Sequence, residues 1–266
     1  MRPLRIAAPI VLGVLALGLW VVRPRPPLPE PETVEIAAQP FAYRPAGDFH
    51  LAGVQADPAL QHITPAQPLV IMKYPVAAAD YALCVAGGKC QRADAPTVTG
   101  ALPQTGVNWI DAHAYADWLS ARTGHHWRLP SDAEWQRAAA ERFFDDKVEA
   151  ASLNDPAQRW LATYNSRVRA RGAADPTLRP LGSLGENTLG VADLAGNIWE
   201  WTDSCDATGE LNAQGEILSA QPYCGVRIAE GKHRAFIIDF VRDAKSGGCG
   251  AGVPPDYLGF RLVRED

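Results

Sequence analysis

The segment from Asn187 to Cys205 constrains the fold most, because it is rich in carboxylates, amides and glycines and follows neither a helical nor a strand pattern of apolar residues. Asp193, Asn197 and Glu200 lie three or four residues apart around Gly196. Their oxygens and nearby backbone carbonyls can converge on a calcium ion, which accepts about six to eight oxygen ligands in loose geometry. The alternative is a turn in which Asp and Asn bond to their own backbone.

The N-terminus carries an export signal. Seventeen uncharged, mostly apolar residues, 6–22, lie between the basic residues Arg2, Arg5, Arg23 and Arg25. This length is at the short end of what spans a bilayer. We predict that residues 1–23 form an uncleaved signal anchor of the inner membrane, with the domain in the periplasm. The alternative is a cleaved signal peptide, which releases the domain into the periplasm.

The remainder of the chain is expected to form one domain behind a spacer. Residues 24–40 are proline-rich and acidic and are typical of an extended linker, so residues 41–266 form the predicted domain. A hydrophobic content of 47% suffices for a core, while 23 glycines and 22 prolines indicate many turns. The net charge of -5 and the absence of a recognisable Lys/Arg cluster give no reason to expect a nucleic-acid partner.

The five cysteines agree with an exported protein, because disulfides persist outside the cytoplasm. Cys84 and Cys90 bracket a short glycine-containing loop, and Cys205 and Cys224 can close the polar loop between them. Cys249 is then left as a free thiol or as a competitor for one of these pairings. No C-x-x-C pair or histidine spacing indicates a transition-metal site.

Local patterns predict several regular elements. Strands are expected at 45–53, 69–76, 235–241 and 259–263, and a helix at 77–86. Asp111 is the predicted cap of a second helix that ends at Gly124, and Ser131 with Glu134 forms the capping box of a third. A long polar region follows these helices.

Five motifs occur in a fixed order along the chain: PAGDFHLAG, PVAAADYALCVAGGKC, VNWIDAHAYADWLSARTGHHWRLPSDAEWQRAAA, NTLGVADLAGNIWEWTDSC and LGFRLVRED. This series resembles the formylglycine-generating enzyme family, also called the sulfatase-modifying factor domain, over about residues 41–266. The resemblance implies an α+β fold, a variant of the C-type lectin fold with little regular secondary structure. Exported members of the family that resemble this chain are associated with pyoverdine maturation or with copper nitrite reductase operons, and the C-terminal pattern resembles the latter group most.

The resemblance also implies structural calcium. In the family, the positions of Asp193 and Glu200 contribute side chains to one site, and those of Gly196 and Ile198 contribute main-chain carbonyls. A second site corresponds to Asn165 and Ser166, with Asp175 nearby. Calcium is therefore the expected cofactor.

The family's copper-binding cysteine pair has no counterpart in this sequence. Aligned from the turn at Gly231, the two positions are Phe236 and Val241; aligned from LGFRLV, they are His233 and Ile238. Copper needs soft thiolate ligands, and the chain has no room for the helical domain that holds iron in other branches. Neither copper nor iron is expected, and neither is standard sulfatase activation.

Two functions remain open from the sequence. The first is a divergent oxidoreductase or maturation factor that acts on a periplasmic partner protein or peptide. Its candidate residues replace the copper site: His233, Arg234, Asp239, Arg242, Asp243 and Cys249. If instead Arg242 pairs with Asp243 and Cys249 is buried, this segment is structural. The second function is a non-catalytic, calcium-stabilised binding module tethered to the membrane, because the lectin-like scaffold does not by itself determine activity.

Overall fold

The computed structural model describes residues 29–94, 100–146, 155–173, 175, 177–245 and 253–265. Its helices are α1 (Ala78–Ala86), α2 (Trp109–Thr123), α3 (Asp132–Ala139) and α4 (Pro156–Arg171), and a short 3-10 turn, Ala140–Arg142, follows α3. Within these ranges, no helix is long and apolar enough to cross a bilayer. The predicted anchor, residues 1–23, lies outside the described residues.

The strands form three sheets. The first has the order β1 (Thr33–Ile36), β6 (Leu69–Met72), β12 (Val263–Glu265) and β7 (His126–Arg128), with antiparallel neighbours. The second has the order β10 (Ala235–Ile238), β9 (Ile217–Glu230), β8 (Trp199–Leu211), β3 (Asp48–Leu51) and β4 (Val54–Gln55), and β11 (Leu258–Gly259) also pairs with β8. The third joins β2 (Phe41–Tyr43) to β5 (Gln61–Ile63). The mixture of helices and sheets agrees with the predicted α+β class.

The first strand corrects the predicted boundary between linker and domain. Strand β1 lies inside the segment predicted as an extended spacer, yet it pairs with β6 over its whole length. Ile36 is buried in the apolar core beside Leu69 and Ile71. The folded part therefore begins before Phe41.

The helix signals are largely confirmed. Ser131 and Glu134 form the predicted capping box of α3, and Gly124, with a φ of 82°, ends α2 in the left-handed conformation. The predicted cap of α2 was wrong: Asn108 caps the helix, and Asp111 is the residue that bonds back to the Asn108 backbone. The capping box therefore begins three residues earlier than predicted.

Both predicted disulfides are present, Cys84 with Cys90 and Cys205 with Cys224. The second disulfide was predicted to close a polar loop, but it does not. It joins two long strands, β8 and β9, which form an antiparallel hairpin. Strand β9 is exposed from Leu218 to Gly225, so the apolar alternation of a half-buried strand is missing there.

Helix α4 lies in the region that was predicted only as polar. Its N-cap is Asp155, followed by Pro156 at the first helical position. Four arginines occur on this helix, and this concentration was not predicted from the sequence. Three of them pair with carboxylates, namely Arg159 with Asp57, Arg167 with Asp146 and Arg171 with Asp256.

The C-terminal motif links the two larger sheets. Residues 259–263 were predicted as one strand, but Gly259 ends β11 in the second sheet and Val263 begins β12 in the first. Between them, Phe260 and Leu262 are buried in the main apolar core with Trp199 and Trp201. Arg261 is also fully buried. The chain therefore crosses the core here and cannot continue as one strand.

Candidate functional site

The segment that the resemblance aligns with the copper site is held by structural contacts around His233. Trp199 donates from its indole Nε1 to the His233 carbonyl at 2.9 Å, and the imidazole Nδ1 lies 2.8 Å from the Arg234 carbonyl. Burial lowers the pKa of His233 below its ordinary value, which favours the neutral ring. His233 therefore contributes to the packing beneath Trp199.

Arg234 lies at the centre of a buried charged cluster. Its Nε donates to Glu230 at 2.9 Å and its Nη2 to the Arg44 carbonyl at 2.8 Å, while Asp132 and Asp146 each approach it to 3.9 Å. Burial raises the pKa of Glu230 well above its ordinary value; Arg234 opposes this effect and the neighbouring Asp132 adds to it. The buried environment therefore favours the protonated form of Glu230.

Arg242 does not pair with Asp243, the structural alternative considered from the sequence. It makes two bonds to Asp111, at 2.7 and 2.8 Å, and one to Asp94 at 2.7 Å. The backbone N–H of Asp239 donates to the Gly225 carbonyl, and the Asp239 carbonyl accepts from the Trp109 backbone N–H. Cys249 lies outside the described residues. The described candidates His233, Arg234 and Arg242 therefore contact different partners.

A cleft of about 390 Å³ lies directly beside this segment. It runs between α4, strand β10 and the chain around β3. Its lining includes Asp48, Asp57, Asp146, Arg159, Trp160, Tyr164, Arg167, Asp206, Arg234 and Phe236. Phe236, which lines the cleft, is one of the four positions that the two alternative alignments offered for the copper-binding cysteines.

Ion pairs build the polar wall of the cleft. Arg159 bonds to Asp57 at 2.8 Å, and Arg167 bonds to Asp146 at 2.9 and 2.6 Å. Burial alone would raise the pKa of Asp146, but Arg234 and Arg167 outweigh it and hold that pKa below its ordinary value. These pairs compensate the arginines of α4 that face the cleft.

Two carboxylates in the cleft lack such compensation by arginine. Asp48 accepts from the Gln55 amide at 2.9 Å, and Asp206 accepts from the Ala207 backbone at 2.9 Å. Burial raises the pKa of Asp206, and the charge of Asp48 adds to that effect. Asp48 also lies 3.9 Å from His50 Nε2, so this end of the cleft holds two carboxylates and a histidine close to one of them.

An aromatic pair lines the opposite side. Trp160 and Tyr164 stack with ring centroids 5.3 Å apart, and Trp160 is 56% exposed. Neither these residues nor α4 was predicted from the sequence. The signal that could have found them is Asp155-Pro156, the cap and first residue of a helix, followed by aromatics four residues apart.

The predicted calcium loop is ordered by protein partners. The Asp193 carboxylate accepts from the Gly182 and Leu184 backbones, and Asn197 exchanges two hydrogen bonds with the Arg179 backbone. Asp193 has a φ of 60°, the left-handed turn conformation that Asp tolerates. Its carboxylate oxygens retain lone pairs that suit calcium.

Glu200 fits a calcium ion less well. Arg261 binds both of its oxygens, and Trp135 donates to it at 2.9 Å. The positive charge of Arg261 competes with a cation for this carboxylate. Within the described residues, no group of three or more His, Cys, Asp or Glu side chains is placed to hold a metal.

The residues of the predicted second calcium site lie in the middle of α4. Asn165 is exposed and Ser166 is half-buried on this helix, while Asp175 pairs with Arg179 at 2.9 Å. Backbone carbonyls within a helix accept from the following turn, so only side-chain oxygens are free at Asn165 and Ser166. Calcium binding at either place stays a prediction.

Curated relatives match parts of the chain. A formylglycine-generating enzyme of Thermomonospora curvata is 30% identical over 104 residues, 37% of this chain and 32% of that protein. The hercynine oxygenase of Mycolicibacterium smegmatis is 33% identical over 110 residues, 40% of this chain and 23% of that protein. The matched region thus spans about a third or less of the length of these two relatives.

The fold is shared with a solved structure. PvdO from Pseudomonas aeruginosa superposes with a TM-score of 0.53 at 22% identity, over 89% of this chain and 95% of PvdO. The family model described as sulfatase-modifying factor enzyme 1-like domain matches residues 21–266. This match covers all the described residues, so the chain belongs to the sulfatase-modifying factor enzyme 1-like domain family.

Proposed function

We propose that this protein is a divergent maturation factor of the oxidoreductase type, which binds a segment of a periplasmic partner protein in the cleft beside β10. The observation that carries the proposal is the position of Phe236. It lines the cleft at a position where one of the two alignments of the family resemblance places a reactive cysteine. The partner segment would therefore bind where relatives perform their chemistry.

The chemistry of the cleft suits an extended polypeptide with a basic side chain. Asp48 and Asp206 supply negative charge that no arginine pairs with among the described contacts. Trp160 and Tyr164 supply aromatic faces that attract a cation. The arginines of the wall are already neutralised by Asp57 and Asp146, so an acidic segment would gain less.

The alternative function is a non-catalytic binding module. It is favoured by the contacts of Arg234 and Arg242, because each is committed to carboxylates within the fold. Under this alternative the cleft binds the same kind of segment without changing it. The two functions differ in whether a covalent product forms.

The cellular setting is part of the proposal. Residues 1–23 would anchor the chain in the inner membrane and place the domain in the periplasm. Calcium would be bound by Asp193 and the carbonyls of Gly196 and Ile198, with Glu200 contributing only if Arg261 moves. The ion would stabilise the loop, and the proposed function involves no step at the ion.

The experiment compares the periplasmic proteins of cells that lack this chain with those of cells that carry the wild type, Trp160→Ala or Leu218→Ala. Leu218 is 68% exposed and does not line the cleft, so it is the matched control. Mass spectrometry should find a polypeptide with a discrete mass change in the wild type and the Leu218 variant. That change should be absent from the deletion and the Trp160 variant.

A second measurement separates the two functions. Binding of lysine-containing and glutamate-containing peptides to the full chain is followed by fluorescence. The binding module would be established by two results together. The lysine peptides bind selectively and lose that binding in Trp160→Ala, and no modified polypeptide is found in cells. If neither peptide binds and no mass change depends on Trp160, the assignment of the cleft is wrong.

A further inference from the structure

The disulfide between Cys205 and Cys224 lies at an irregular point of the β8–β9 hairpin. Cys205 pairs with Arg227 in the sheet, whereas the next residue, Asp206, pairs with Tyr223. Residues 224–226 therefore have no partner in β8 and form a bulge that carries Cys224. Bulges of this kind reorient side chains and are frequent near functional sites.

The two disulfides of the chain differ in accessibility. Cys84 and Cys90 are both buried in the main apolar core. Cys224 is exposed and Cys205 is half-buried. Tyr223, 64% exposed, offers an aromatic surface for a polypeptide next to Cys224. Only the Cys205–Cys224 bond can therefore be reached by a partner without opening of the core.

Arg227 is aimed at one of the two sulfurs. Its Nη1 donates to Cys205 Sγ at 3.2 Å and to the Asp203 carbonyl at 2.9 Å. The guanidinium carbon lies 3.8 Å from the centre of the Trp109 ring, which fixes the plane of the group. A guanidinium in this position stabilises a thiolate on Cys205 and makes it the better leaving group.

We propose that Cys205–Cys224 is a redox-active disulfide that oxidises a dithiol of a partner polypeptide. A partner thiolate attacks Cys224 Sγ, the sulfur–sulfur bond breaks, and Cys205 leaves as a thiolate beside Arg227. The second thiolate of the partner then attacks the sulfur of the first partner cysteine in the mixed disulfide, and Cys224 leaves as a thiolate. Two electrons pass from the partner to Cys205 and Cys224, and the partner gains a disulfide.

The charges around Cys205 include an opposing group. The Asp203 carboxylate lies 3.9 Å from Arg227 Nη1 and 3.1 Å from His113 Nε2. It is partly exposed, so water screens its effect on the thiolate. Asp206 lines the cleft, while Cys205 lines a separate groove with Ser204 and Pro222. Arg227 is therefore the charged side chain in direct contact with the sulfur.

The experiment equilibrates the full chain, with Cys249→Ser to remove the fifth cysteine, in buffers of reduced and oxidised glutathione. Alkylation and peptide mass spectrometry report both disulfides in one sample, so Cys84–Cys90 is the internal control. We expect Cys205–Cys224 to be reduced at ratios that leave the control bond oxidised. Arg227→Ala should shift its equilibrium roughly tenfold toward the disulfide, and Arg227→Lys should shift it less.

A second variant tests the role of the leaving sulfur without the disulfide. In Cys224→Ser, the Cys205 thiol should react with iodoacetamide with a midpoint below the ordinary thiol pKa of about 8.5, and Arg227→Ala should raise that midpoint. Cys205→Ser should form a mixed disulfide with glutathione on Cys224. If both disulfides reduce together, or if the Cys205 midpoint is ordinary, the bond is structural and the proposal fails. This outcome would leave the cleft experiments unaffected.

Discussion

Arg261 and Glu200 form a two-pronged ion pair at the point where the C-terminal chain crosses between the two larger sheets. Arg261 Nε lies 2.6 Å from one oxygen of Glu200, and Nη2 lies 2.7 Å from the other. Arg261 also donates to the carbonyls of Met72, Lys73 and Ala192. One buried guanidinium thus joins strand β6, the 187–205 segment and strand β8.

Removal of either partner should be strongly destabilising, because the other charge is left buried without compensation. Glu200→Gln should lower the free energy of unfolding by about 3–5 kcal/mol, measured by urea denaturation. Glu32→Ala removes an exposed partner of Lys73 and should change little. Equal losses in the two variants would contradict the importance of the buried pair.

Calcium should stabilise the protein through Asp193. An ion bound only by the native state raises the melting temperature by mass action, so a chelator should lower it in the wild type. Asp193→Ala should lower the melting temperature and remove the response to calcium, and elemental analysis should find calcium alone. If the wild type melts at the same temperature with and without chelator, the calcium prediction is wrong.

Local signals in the sequence were reliable where a single side chain determines the backbone. Ser131 and Glu134 predicted the start of α3, and Gly124 predicted the end of α2. The cysteine spacings predicted both disulfides. In each case the determining contact lies within a few residues or in a covalent bond, so it does not depend on knowing the rest of the fold.

Helix α4 was missed because its pattern is reversed. It buries Arg159 in an ion pair with Asp57 and exposes Trp160 and Tyr164, whereas the usual amphipathic helix buries its apolar face. The cleft could not be predicted either. Its walls depend on pairs such as Arg167 with Asp146, which lie 21 residues apart and meet only in the folded arrangement.

Glu230 should make the protein less stable as the pH rises, whereas an ordinary paired carboxylate makes a protein more stable as the pH rises. The pKa of Glu230 in the folded protein is raised, first by burial and then by Asp132. The folded state therefore holds the proton more tightly than the unfolded chain. This contribution is complete below about pH 4.3, the ordinary value for Glu, and declines as the pH rises toward the folded pKa.

Glu230→Gln mimics the protonated side chain and should remove this decline. Relative to the wild type, the variant should gain unfolding free energy as the pH rises from about 4 to 8, measured by urea denaturation at several pH values. Glu210→Gln, at an exposed position of β8, should follow the wild type. If Glu230→Gln shows the same dependence of stability on pH as the wild type, Glu230 does not retain its proton in the folded state.

Gly231 is the residue at which the chain leaves β9 and enters the turn before β10. A Cβ built on it would lie 2.6 Å from two atoms of the Trp199 ring, which is itself buried. Because this ring is packed and donates to the His233 carbonyl, it cannot move away without loss of that bond. Gly231→Ala should therefore cost about 1–3 kcal/mol of unfolding free energy. At Gly225, the atoms nearest to an added Cβ belong to the exposed Tyr223 ring, the nearest at 3.4 Å, so Gly225→Ala should be nearly neutral. Equal stability of the two variants in urea would contradict the close packing of Gly231 against Trp199.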